Sequence, residues 1–198
     1  MDSVQHRASA PLTKEHFRRV MGQFATGVTV VTTRLGDEIH GLTANAVCSV
    51  SLEPLLVLVC VDHAADTHPL LEKSGVFAVN VLSDEQEHLS RLFAGPTEEK
   101  AGRLETMGYR TAVTGAPIID GCLAYLDCRV VAAYPGGDHT IFVGQVEEAE
   151  IGEDVPPLLF FRGRYATTGK GDSAGLMVMN KLVRQSERSR RGGVAYGM

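Results

Sequence analysis

Apolar residues recur at helical spacing near the start of the chain, where Phe17, Val20, Met21 and Phe24 fall on one face. Thr13 is placed to cap that face and Glu15 sits in its first turn, so the spacing predicts an amphipathic helix ending before Gly27. The run GVTVVTT at 27–33 is β-branched almost throughout, and RLGDEIHG at 34–41 supplies turn residues before the chain extends again. This is the pattern of a hairpin. LLVLVCV at 55–61 and VFAVNVL at 76–82 are apolar runs of strand length, the first expected among the most buried in the chain. A loop and a short helical turn beginning near Pro69 join them. Ser83 and Gln86 then stand at capping-box spacing ahead of Leu89, Leu92 and Phe93, which predicts a short helix. AYLDCRVVAAY at 124–134, a Gly-Gly turn and TIFVGQVEEAEI at 140–151 predict a long second hairpin, and PLLFFRGRYAT at 157–167 closes the core.

Many strands, few helices and no regular βα alternation point to a mainly β chain, an antiparallel barrel or sandwich. At 198 residues and 44% hydrophobic content, one domain over 13–170 is the simplest organisation. After Lys170 the composition changes: a stripe of Leu176, Met179, Leu182 and Val183 precedes a basic, Ser- and Gly-rich end. Residues 171–198 read as an appendage, partly helical or disordered. A net charge of −5 gives no electrostatic footprint for nucleic acid or an anionic membrane. No apolar run reaches the length of a bilayer span, and the N-terminus carries no secretory pattern. Cys48, Cys60, Cys122 and Cys128 form no CxxC pair and read as core thiols of a reduced, cytoplasmic protein.

Candidate chemistry begins at GLTANAVCSVS, residues 41–51, beside the apolar 55–61 run. Thr43, Asn45, Ser49 and Ser51 need hydrogen-bond partners there, either turns and neighbouring backbone or a bound polar ligand. GKGDSA at 169–174 fits GxGxxA only formally, without the strand–helix context of a nucleotide site. His63 and His68 share no helical face and lack a third ligand, so no metal is expected, and no GxSxG nucleophile motif occurs. In YPGGDHTIFVG, residues 134–144, the glycines suit a turn. The imidazole of His139 is either a donor to a ligand's amide or phosphate, or simply exposed.

Taken together, FRRVMGQFATGVTVVTT (17–33), GLTANAVCSVSLEPLLVLVCV (41–61), FAVNVLSDEQEHLSRLFAG (77–95), GGDHTIFVGQV (136–146) and PLLFFRGRY (157–165) resemble the flavin reductase family in order and spacing. These are short-chain, NAD(P)H-dependent reductases that supply reduced flavin to two-component monooxygenases, and the resemblance spans about Phe17 to Thr168. It implies an FMN-binding split β-barrel of antiparallel Greek-key type with a few peripheral helices. It also implies a homodimer with the flavin near the subunit interface. The activity implied is hydride transfer from NADH or NADPH to FMN, alternatively FAD, with a separate flavin-dependent monooxygenase as partner.

The resemblance sets Thr43, Ala44, Asn45 and Ala46 along the isoalloxazine ring and Ser49, Val50 and Ser51 at its ribityl and phosphate end. Small residues there allow close approach to the ring faces while amides and hydroxyls meet its polar edge. Ser83, Gln86 and Phe93 fall close to the flavin, although capping-box spacing also explains Ser83 and Gln86. Asn80 alternates with Val79 and Val81 toward a polar partner. Many relatives carry a serine where this chain has Asp66, whose carboxylate would repel a phosphate, so either Thr67 is the phosphate ligand or Asp66 points away. Gly137, Asp138 and His139 match the nicotinamide-nucleotide position, with Arg164 and Tyr165 as neighbours. A 2'-phosphate would call for a cation such as Arg162 or Arg164. No side chain is assigned acid–base chemistry, because hydride delivery rests on positioning. The alternatives are a non-catalytic flavin-binding or electron-carrier protein on the same barrel, and an oxidase of pyridoxamine-phosphate type with a stronger cationic phosphate site.

Overall fold

The computed structural model describes residues 12–96, 100 and 103–168; the segments 169–174 and 171–198 singled out in the sequence lie outside the described residues. Twelve strands and four helices are arranged as a mainly β, wholly antiparallel structure among these residues. Helix α1 (Lys14–Met21) opens on Thr13, whose hydroxyl accepts the His16 N–H at 3.1 Å. It ends at Gly22, so Phe24 lies beyond the helix and not on its last turn. Short β1 (Thr26–Gly27) leads into β2 (Thr29–Leu35), which pairs with β3 (Glu38–Ala44) around a turn at Gly36 and Asp37. Gly36 has φ +60°, which a two-residue hairpin loop requires at its first central position.

Next come β4 (Val47–Leu52), β5 (Leu55–Asp62), α2 (Thr67–Ser74) and β6 (Val76–Val81). Pro69 does not begin α2 but occupies its first turn, where no intrahelical N–H bond is lost. A 3₁₀ turn (Asp84–Gln86), α3 (Glu87–Ala94), α4 (Arg103–Met107) and the two short strands β7 (Tyr109–Thr111) and β8 (Pro117–Ile119) precede the long hairpin of β9 (Ala124–Gly136) and β10 (His139–Ile151). The last hairpin, β11 (Leu158–Phe161) and β12 (Arg164–Thr167), joins β1 in a separate three-stranded sheet. The 157–167 segment thus lies over the core more than it closes it, with Leu158 its one fully buried side chain.

The main sheet has the order β3-β2-β6-β9-β10-β5-β4. Its two edge strands, β3 and β4, are joined by Asn45 and Ala46 alone. That link spans at most ~11 Å, whereas the edges of a flat seven-stranded sheet lie ~29 Å apart. The sheet must therefore roll until its edges nearly meet, and because β3 and β4 share no ladder the barrel keeps a seam. Val31, Val57, Val59, Val61, Phe77 and Phe142 fill the inside, and a second cluster under α3 includes Val30, Leu82, Leu89 and Phe93. Gly144 admits the Phe77 ring: a Cβ there would stand 2.5 Å from its Cζ.

Strand β5 corrects the expectation from its sequence. Val57, Val59 and Val61 are buried, while Leu56, Leu58 and Cys60 on the other face are only half covered. An unbroken apolar run reads alike whether its second face is covered by its own chain or by something else.

Candidate functional site

The rolled sheet, the end of α1 and the β11–β12 hairpin enclose a groove of about 980 Å³, at the upper end of the range of small-molecule sites. Asn45, Ala46 and Cys48 line one wall, Leu58 and Cys60 the floor, and Phe24, Thr26 and Gly27 the side facing them. The seam between β3 and β4 opens here. The hydroxyl of Thr29 donates to the Ala44 carbonyl at 2.7 Å and pins the end of β3, which fixes the Asn45–Ala46 corner.

Thr26 lines the groove, but its Oγ1 is shut away from the groove space and has no hydrogen-bond partner among the described residues. A Cβ on Gly27 would meet nothing within 4 Å, so open space lies against bare backbone. Such a wall fits a flat ring whose faces need close apolar contact and whose edge carries acceptors. Asn45 and Ala46 are exposed to the groove.

The remaining expected flavin contacts divide sharply. Ser49, Val50 and Ser51 follow Cys48 on β4, with a register shift between Ser49 and Ser51, and do not line the groove; Ser51 Oγ accepts the Glu53 N–H at 3.1 Å. Thr43 and Ala44 are not brought to the groove: the Thr43 hydroxyl donates to the Ser90 carbonyl at 2.7 Å and Ala44 is buried in the barrel. Thr67 is buried and donates to the Gly41 carbonyl at 3.2 Å, which occupies its proton. Beside it, the Lys100 ammonium is lowered by burial and partly restored by the Asp66 carboxylate, so Asp66 has a cation near it.

Asn80 is fully buried; its amide donates to Val30 O and Thr32 Oγ1 and its carbonyl accepts the Ile119 N–H at 2.8 Å. Ser83 N–H donates to Gln86 Oε1 at 3.2 Å, and Gln86 Nε2 donates to the Asp120 carbonyl at 3.0 Å. Phe93 is core, its ring 3.0 Å from where a Gly41 Cβ would stand. Asn80, Ser83, Gln86 and Phe93 are thus engaged inside the fold and do not line the groove. A polar residue in an apolar strand looks the same in sequence whether an internal network or a ligand satisfies it.

His139 begins β10 after the turn of Gly137 and Asp138, with Gly137 at φ +78°. Its Nδ1 lies 2.7 Å from Asp138 Oδ1, and that hydrogen bond holds the Asp138 carboxyl below its ordinary value. His139 pairs with Asp62 and Ile141 with Cys60. Directly opposed residues share a sheet face and alternate ones repeat it, so His139 stands on the same outer face as Cys60 in the groove floor. His63, exposed, and His68, half-buried, both bring Nε2 to Thr140 Oγ1, at 3.1 and 2.8 Å. No metal-holding cluster occurs among the described residues.

Tyr165 belongs elsewhere. Its hydroxyl meets Ser90 Oγ at 2.9 Å and its ring lies under the Arg91 guanidinium, while Arg164 is exposed on β12. Within one chain these two sit on the three-stranded sheet and His139 on the main sheet. The cysteines split likewise. Cys122 and Cys128 are buried, with burial first and then the Asp127 and Glu147 charges pushing the Cys128 thiol up to about 12. Cys48 and Cys60, expected in the core, face the groove. Thr26, Gly27, Cys48, Leu58 and Cys60 were not legible as groove residues. The one signal that bore on them was the small-residue run Ala25–Gly27 ahead of β2, resembling Ala44–Ala46 ahead of β4.

Comparison with known proteins bears on the same region. The model of the flavin reductase like domain matches residues 21–169. The chain is 45% identical over 152 residues to the reductase component of 4-hydroxyphenylacetate 3-monooxygenase from Thermus thermophilus, covering 77% of this chain and 95% of that one. It is 40% identical over 157 residues to the NADH-dependent flavin reductase of a Rhodococcus species, covering 78% and 86%. The solved NADH:FAD oxidoreductase of Streptomyces globisporus C-1027, in complex with NAD and FAD fragments, superimposes with a TM-score of 0.74 at 40% identity, over 83% of this chain and all of that one. A rolled antiparallel sheet, a groove at its seam and a family match spanning both lead to one conclusion: the chain belongs to the flavin reductase like family.

Proposed function

We propose that the chain is an NAD(P)H:flavin oxidoreductase that reduces FMN, or alternatively FAD, and releases it to a separate flavin-dependent monooxygenase. The observation that carries this reading is the groove wall, where open space over Gly27 and the exposed Asn45 and Ala46 border about 980 Å³. A flavin bound there supplies the acceptor for the hydride of a reduced nicotinamide. Asn45 holds the polar edge of the ring; Ala46 and Gly27 let it lie close; Leu58 and Phe24 keep water from the space above it. His139 orients the nicotinamide nucleotide from the adjoining sheet face, with its ring fixed by Asp138. No acid or base is required of the protein.

The relatives named for an NADH-dependent activity and for a monooxygenase reductase component favour NADH as donor and an oxygenase as partner. A homodimer is part of the reading, because apolar side chains around the groove remain open in a single chain. The described residues contain no helix long and apolar enough to cross a membrane, and four free thiols fit action in the cytoplasm. Residues 13–170 act as the reductase unit. The test is consumption of NADH and NADPH by catalytic amounts of protein with excess FMN, FAD or riboflavin. Many turnovers per protein are expected, and tight flavin binding with no turnover would instead identify a carrier.

A further inference from the structure

Among the described residues, a single charged side chain lines the groove, and it is a cation on an acidic protein: Arg18 of α1. A second cation, outside the lining itself, stands close to Gly22, a residue of the groove. Arg162 is one of the two central residues of the β11–β12 turn, and with φ +50° it is the one non-glycine described residue in the left-handed region. Glycine would take that conformation at no steric cost, whereas arginine holds it only where its surroundings over-determine it. Here they do. The Arg162 N–H donates to the Gly22 carbonyl at 2.9 Å, and its Nε donates to Gln23 Oε1 at 2.8 Å. Gln23 in turn donates to the Arg19 carbonyl at 3.2 Å, so the guanidinium is tied to the end of α1. Its neighbours Gly22 and Gly163 both line the groove. Neither Arg18 nor Arg162 forms a salt bridge among the described residues.

The Arg162 guanidinium, held by its Nε and stacked 4.9 Å over the Phe161 ring, offers with Arg18 two positive charges to the two singly charged phosphates of a pyrophosphate. On β4 past Cys48, beyond the groove lining, lies the hydroxyl-bearing stretch Ser49–Ser51, which suits the flavin's own ribityl chain. We propose that Arg162, together with Arg18, binds the pyrophosphate of the incoming nicotinamide dinucleotide at the mouth of the groove. The assignment rests on the groove being the flavin site. Arg162 spends its left-handed conformation on keeping that fork in place, and the charge distinguishes a dinucleotide donor from an uncharged dihydronicotinamide.

The test compares wild type, Arg162→Gly and Arg162→Lys with saturating FMN, using NADH and the neutral donor N-benzyl-dihydronicotinamide. Glycine keeps the turn and the N–H to Gly22 while deleting the guanidinium, so folding is preserved. The ratio of kcat/KM for NADH to that for the neutral donor should fall about tenfold in Arg162→Gly, through KM and not kcat, with lysine restoring part of it. Added salt should erode the wild-type preference for NADH more than the variant's. An unchanged ratio, a loss of FMN affinity by fluorescence titration that matches the loss for NADH, or a change in sedimenting mass would each overturn the assignment. Wild type that turns over neither donor would remove the flavin-site reading itself, so the two failures are distinguishable.

Discussion

At the scale of single residues, Asn45 makes the sharpest prediction, because its side chain is exposed on the groove wall. Asn45→Leu is of similar size and sets an apolar group against the polar edge of the ring. Thermal stability should hold, while FMN affinity measured by fluorescence quenching should weaken about tenfold. Affinity unchanged by the leucine would detach Asn45 from the flavin. His139→Ala should raise the KM for NADH with little effect on FMN affinity, since His139 lies next to the groove floor along the outer sheet face. Thiol chemistry separates the cysteines: Cys48 is exposed in the groove, whereas the Cys128 thiol is buried and pushed up to about 12. Iodoacetamide should label Cys48 and leave Cys128 unmodified, FMN should slow the labelling, and peptide mass mapping reads the result. Labelling of Cys48 at the same rate with and without FMN would place the flavin elsewhere.

At the scale of elements, Gly144 on β10 is a packing requirement. A Cβ there would meet the Phe77 ring at 2.5 and 2.7 Å, and Phe77 is fully buried with no room to swing. Gly144→Ala should cost about 1–3 kcal/mol in urea unfolding, and Phe77→Leu in the same chain should recover part of it; an alanine variant as stable as the parent would mean that the barrel interior yields more readily than its packing suggests. The strands themselves were legible, since β-branched runs and turn glycines around 29–44 and 124–151 carry their own signal. The capping box at Ser83 and Gln86 was legible for the same local reason. What escaped were properties set by distant parts of the chain. Nothing local in LLVLVCV tells that Leu58 and Cys60 face a groove while Val57 and Val59 fill a barrel. Nor does it tell that Asn80 is satisfied by Val30, Thr32 and Ile119, which lie from 39 to 50 residues away in sequence.

At the scale of the whole molecule, Phe17, Val20, Met21 and Phe24 are each at least half exposed in a single chain. An amphipathic helix that buries nothing leaves apolar area on the scale that marks an interface. Sedimentation should give a mass of two chains, and Met21→Asp with Phe24→Asp should shift it toward one and weaken flavin binding together, because both residues also border the groove; a monomeric parent chain would remove the dimer from the proposal. The seam adds a mechanical consequence. The barrel's two free edges are joined by Asn45 and Ala46, the pair that also lines the groove, so a guest seated there works as a bolt across the one place where the cylinder can spring open. Adding FMN should slow amide exchange in β3 and β4 together while leaving the β6–β9 ladder as it was. On the proposed seating of the flavin, each discharge of the reduced form would unbolt the cylinder, and the catalytic cycle would alternate between a stiff vessel and a compliant one.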